Sequence, residues 1–217
     1  MVTLTIQPPI ADAPVYSWVA DSNYGTRVFG DVGAPTSGIG QSKTVIKFDL
    51  STIPSYADIK SAILSLYYYT KDASATFATN LSVRRLTQSF NESTVTWNNF
   101  PSDEGSNIGS TTVTQATSYG FVDVELTPSK ITELINGTMT NNGFLIHNDN
   151  ADQSGNRISF YLREWTTESD RPKLIVEYVM GGGEPVAVSP FFNFFKSFEN
   201  PWLKKGNLWQ PQISEGI

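Results

Sequence analysis

The chain has no cysteine, which excludes a disulfide framework, thiolate metal sites and thiol nucleophiles. It has one histidine, His147, too few for a His-rich metal centre, although a lone general base stays available. Positive charge is scarce. Fifteen Lys and Arg against 21 Asp and Glu give a net charge of −6, so the basic stripe that nucleic acid requires is missing. No apolar run approaches the roughly 18 residues of a membrane span. A signal-peptide core is missing too: Val2, Leu4 and Ile6 alternate with Thr3, Thr5 and Gln7, which is a strand pattern.

What fills the space is polar and β-prone. Ser (23), Thr (22) and Asn (15) outnumber the helix-favouring Ala, Leu, Glu and Lys, and only 17% of the chain is charged. Ten strand-like runs follow one another: Val2–Ile6, Thr26–Phe29, Thr44–Leu50, Ala62–Tyr69, Asn80–Leu86, Thr111–Thr114, Phe121–Leu126, Gly143–Ile146, Arg157–Leu162 and Lys173–Val179. In the third, Ile46, Phe48 and Leu50 share one face; in the fourth, Ala62, Leu64, Leu66 and Tyr68 do. Gly, Pro, Asn and Ser clusters separate the runs, and most connections exceed a tight hairpin. The expectation is an all-β fold, a jelly-roll β-sandwich with one short helix and an extended C-terminal arm. The helix begins with Thr127 as N-cap and Pro128 at its first position, ends before Gly137, and carries Ile131, Leu134 and Ile135 on one face.

Composition shifts at Met180. A Gly181-Gly182-Gly183 linker within 180–183 divides a domain, 1–179, from an arm, 184–217. The arm contains Phe191, Phe192, Phe194, Phe195 and Phe198, followed by Trp202 and Trp209. Phe191, Phe194, Phe195 and Phe198 make one stripe at helical spacing, with Ser189 as N-cap and Pro190 at the first position. A short amphipathic helix near 190–199 is expected, docked in a groove of a partner subunit, with both tryptophans anchoring an extended tail.

Several blocks resemble a known family. They are Asn23-Tyr24-Gly25, Phe48–Pro54 followed by Ile59–Tyr67, Asn91–Pro101 with its Thr96-Trp97-Asn98-Asn99 centre, Asn142–Ile146, and Leu162-Arg163-Glu164 followed by Arg171–Tyr178. Their order over residues 12–179 resembles the DNRLRE domain, a disaggregatase-related, carbohydrate-binding-module-like β-sandwich. The resemblance implies a jelly roll with a non-catalytic, glycan-associated role. It implies nothing for the arm.

Single constellations carry two readings each. Trp97 with Asn98 and Asn99 offers an aromatic platform and amides for a sugar; the same residues can plug a core edge and tie a loop to its own backbone. Arg163 and Glu164, adjacent in a strand, would face opposite ways and so not pair, serving with Arg171 as structural hydrogen-bonding groups. The loop from His147 to Asn156 is rich in oxygen, and Asp149 and Asp152 are candidate calcium ligands without EF-hand spacing; Asp12, Asp21 and Asp31 are a second candidate set. No G-x-S-x-G elbow is present and no carboxylate pair stands out, so no enzyme and no other cofactor are expected.

The expected function is a non-enzymatic structural subunit of a large assembly. A phage virion protein, as capsid decoration or tail-associated, suits a chain made in the cytoplasm without a signal peptide and carried to an extracellular particle. Its partners would be protein subunits through the arm, and cell-surface glycan. The alternative is a carbohydrate-binding module of a secreted polysaccharide-active system.

Overall fold

The computed structural model describes residues 1–72, 78–149, 154–180, 202–205 and 208–211. Contacts divide the chain into two units, Met1–Gly181 and Gly182–Ile217. In the first unit the strands are β1 (Val2–Ile6), β2 (Ala11–Tyr16), β3 (Phe29–Val32), β4 (Ser42–Lys47), β5 (Ala57–Lys71), β6 (Ala78–Arg85), β7 (Gly109–Thr114), β8 (Gly120–Glu125), β9 (Phe144–Asn148), β10 (Ile158–Tyr161) and β11 (Lys173–Met180). Among the described residues one α-helix, α1 (Pro128–Ile135), lies between β8 and β9. In the second unit β12 (Trp202–Lys205) pairs antiparallel with β13 (Leu208–Pro211). Phe191, Phe192, Phe194, Phe195 and Phe198, and with them the helix expected near 190–199, lie outside the described residues.

The strands of the first unit form two antiparallel sheets, the sandwich that the alternating runs predict. One sheet is ordered β2-β4-β9-β6-β7 and the other β1-β11-β5-β10-β3, with β8 also paired to β5. From β1 to β6 each successive strand changes sheet, as a jelly roll requires. Strand β5 organises its sheet: β11 pairs with residues 57–65, β10 with its end, and β8 with 63–68 on the opposite edge. A bulge where Glu177 opposes Ser61 and Tyr178 opposes Ile59 leaves Lys60 unpaired. The inward set therefore switches from Ala57 and Ile59 to Ala62, Leu64, Leu66 and Tyr68, all buried. They meet Ile46, Phe48, Val83, Phe144 and Ile146 of the facing sheet in one core.

Helix α1 starts at Pro128 after Thr127, with Ile131 and Leu134 buried. The Thr127 hydroxyl makes no cap bond; it donates to the Ile108 carbonyl instead. Arg85 at the end of β6 is 1% exposed and holds the helix down. Its guanidinium donates to both Glu104 oxygens and to the Lys130 carbonyl, each at 2.8 Å, and pairs with Glu133 at 2.8 Å.

Three features depart from the sequence expectation. Strand β2 gave no clear signal because Pro14 interrupts it; as the sheet's edge strand it tolerates a residue without an N–H. Strand β3 begins at Phe29, where the run Thr26–Phe29 was expected to end, since Ser17–Val19 form a 3-10 turn and residues 20–28 hold turns and irregular backbone instead. Arg163 and Glu164 lie in a turn just beyond β10, not in a strand, so their side chains do pair, with Nε 2.6 Å from Oε1.

Candidate functional site

The outward face of the β5–β10–β3 region is aromatic. Tyr68 and Phe160 point into the core, so the strand period turns Tyr67, Tyr69 and Tyr161 outward. A register shift between Ser159 and Phe160 leaves Tyr69 as the extra residue, which puts both Tyr67 and Tyr69 beside Tyr161. Tyr161 stacks on Tyr67 at 5.3 Å, on Tyr69 at 4.6 Å and on Trp165 at 3.8 Å between ring centroids. The band continues at one end to Phe121, 5.2 Å from Tyr67, where the Lys173 ammonium sits 3.7 Å from the Phe121 centroid. At the other end Tyr69 meets Phe29 edge-on at 6.2 Å.

Beyond Phe29 the band opens into a cleft of about 470 Å³ whose walls include Tyr16, Trp18, Tyr24, Arg27, Phe29 and Tyr69. Arg27 is its centre. The guanidinium carbon lies 4.4 Å from the Phe29 centroid, 5.1 Å from Tyr24 and 5.4 Å from Tyr16. Nη1 donates to the Tyr16 hydroxyl at 2.8 Å, and that hydroxyl donates to Asp31 Oδ2 at 2.7 Å. The other Asp31 oxygen accepts from the Ser159 hydroxyl. Burial, reinforced by the Asp31 carboxylate, raises the Tyr16 pKa far above the ordinary phenol value, so Tyr16 is a fixed donor. Among the described residues no carboxylate comes within ion-pair distance of Arg27, whereas Arg157, also on the wall, pairs with Asp72 at 3.2 Å. The cleft thus presents aromatic surface around a guanidinium with donors to spare, the combination that polar ring-shaped ligands require.

The sequence model of carbohydrate-binding module family 96 matches residues 3–178. The chain belongs to that family. No curated protein matches it. The match covers the two-sheet unit and stops short of the arm, so the family 96 module is the two-sheet unit.

The candidate glycan contacts Trp97, Asn98 and Asn99 sit elsewhere on this module, whereas Asp31, singled out for calcium, lines the cleft. Trp97 is mostly buried and covers a second cluster on the outward face of the other sheet, formed by Ala13, Val15, Val45, Leu86, Val95 and Leu145. Phe100 lies 5.6 Å from its ring and the Lys43 ammonium 5.3 Å. Asn99 accepts from the Thr96 amide at 2.7 Å and donates to the Thr94 carbonyl at 3.0 Å, while Asn98 donates to Asp21 at 2.7 Å. Both amides therefore bond within the protein, one to its own loop and one to the loop carrying Asp21.

Of the candidate calcium ligands, Asp152 lies outside the described residues. Asp149 accepts from Ser82 at 2.6 Å and Asn107 at 2.8 Å and lies 3.6 Å from Arg84. His147, beside it, is buried; desolvation, helped by Arg84, lowers its pKa to about 4, so it is neutral at pH 7. Asp12, Asp21 and Asp31 do not converge: Asp21 serves Asn98, Asp31 serves Tyr16 and Ser159, and Asp12 instead meets Glu92 and Glu164. Of the cleft residues, Asp31 was singled out only for calcium and Tyr24 only as part of a family block; Tyr16, Trp18, Arg27 and Phe29 were not singled out as a site. The available signal was the outward pair Tyr67 and Tyr69, opposite in parity to the core residues of the same strand.

Proposed function

We propose that the two-sheet unit is a non-catalytic glycan-binding module whose ligand occupies the Arg27 cleft and runs along the Tyr69–Tyr161–Tyr67 band. The observation that carries this reading is Arg27: a guanidinium framed by three aromatic rings, bonded to one tyrosine hydroxyl and without an acidic partner among the described residues. Sugar rings gain from C–H contact with Trp18 and Phe29, and Arg27 donates to hydroxyl or carboxylate oxygens. The DNRLRE-like blocks and the family 96 match support one and the same domain reading. The test is a glycan array followed by titration calorimetry with neutral and uronate-bearing oligosaccharides. Arg27→Gln and Trp18→Ala should each weaken binding at least about tenfold, the worth of one charge-assisted hydrogen bond or one stacked ring. Unchanged affinity in both variants would remove the ligand from this cleft.

A second reading gives the arm its own role, docking the module onto a larger assembly such as a virion. It is supported by the spacing of Phe191, Phe194, Phe195 and Phe198. Changing those four to Ser should abolish incorporation into assembling particles; retained incorporation would end that reading.

A further inference from the structure

Away from the cleft, Asp12, Glu92 and Glu164 each bring a carboxylate oxygen within 4.8 Å of the others. They come from β2, from the segment over the second cluster, and from the turn after β10. Asp12 is completely buried. Its Oδ2 accepts the Arg163 amide at 3.0 Å, but Oδ1 is buried without a hydrogen-bond partner, and so is Glu164 Oε2. Arg163 supplies the one cation paired with the group among the described residues. Its Nε lies 2.6 Å from Glu164 and 3.2 Å from Glu92, while Nη1 is committed to the Ile10 carbonyl at 2.6 Å. Glu92 Oε1 also accepts the Asp12 amide at 2.8 Å.

Three carboxylates against one guanidinium leave two negative charges in surplus, one of them on a group that water does not reach. A buried carboxylate oxygen without a partner is among the costliest arrangements in a protein interior. A single proton would remove half the surplus. A divalent cation offsets all of it and gives a partner to a buried carboxylate oxygen that has none. All-oxygen ligands select a hard cation, and the irregular set suits the flexible coordination of calcium better than the strict octahedron of magnesium. We propose that Asp12, Glu92 and Glu164 form a calcium site. Glu92 and Glu164 are partly exposed, so water can reach the ion and complete its roughly six to eight oxygen ligands.

The site would clamp the cleft's wall indirectly. The Glu92 carbonyl accepts from Asn23 at 2.8 Å, and a Cβ on Gly25 would lie 2.0 Å from that oxygen, so the loop carrying Tyr24 and Arg27 rests on Glu92. The proposal itself stands without the glycan reading, and its test uses no glycan. The full chain, stripped with EDTA, is titrated with calcium while heat and melting temperature are followed. Terbium emission excited through Trp165, next to Glu164, reports the same site. Calcium at about a hundredfold its Kd should raise Tm by about 5–10 °C. Asp12→Asn should abolish the response; Glu164→Gln, at a partly exposed position, should do the same and covers a failure of the first variant to fold. No shift in Tm and no terbium emission would overturn the site, as would an undiminished response in Glu164→Gln. An equal response to magnesium would overturn the assignment to calcium.

Discussion

Replacing Trp97 with Ala separates the two roles that an exposed-looking Trp-Asn-Asn segment can play. The indole packs against the second cluster, Ala13, Val15, Val45, Leu86, Val95 and Leu145, with Phe100 and Lys43 near its ring. Full truncation of a core Trp costs about 3–5 kcal/mol, cavity included. Trp97 keeps part of its surface in water, and the neighbouring loop can relax into the space. A loss of about 2–3 kcal/mol is therefore expected, of which about 1 kcal/mol is the Phe100 ring contact and the Lys43 cation–π contact. For a unit of this size that lowers Tm by about 5–10 °C. Urea denaturation followed by tyrosine and tryptophan emission measures it, with glycan titration on the same samples at a temperature where the variant is folded. Stability should fall while affinity stays at the wild-type value, because Trp97 is not among the residues that line the Arg27 cleft. An unchanged urea midpoint together with lost glycan binding would refute this assignment and restore Trp97 as a sugar platform.

Two further outcomes follow from buried charge. Arg85→Met removes the cation that joins β6 to α1, and since Glu104 and Glu133 are partly exposed and can rehydrate, the cost should be about 2–3 kcal/mol, below that of a fully enclosed pair; a urea midpoint unchanged from wild type would contradict it. His147 has its folded pKa lowered to about 4 from the ordinary 6.5, so the unfolded chain binds the proton first as pH falls. Its neutral burial thus costs nothing above about pH 6.5, and stability should decline by about 3 kcal/mol between there and about pH 4. His147→Gln should flatten that part of the pH–stability curve, and identical curves for the two proteins would show that His147 does not titrate this way.

The sequence by itself determined what depends on neighbours along the chain. The helix was legible because Thr127, Pro128, Ile131 and Leu134 carry its start and its buried face within eight residues. The two-residue period in Ala62–Tyr68 marked the core face of β5, and the blocks ending in Arg171–Tyr178 pointed to a carbohydrate-module sandwich. Tertiary structure decided everything that depends on register and on distant partners. Pro14 masked β2 until its edge position explained it. Whether Arg163 and Glu164 pair turned on β10 ending at Tyr161, before either residue. The cleft needs Tyr16, Arg27, Tyr69 and Ser159, which are separated by as many as 143 positions along the chain and meet only because β10 lies between β5 and β3. The carboxylate group likewise joins residues 12, 92 and 164, and no local spacing announces it, because a site assembled across sheets leaves no period in the sequence.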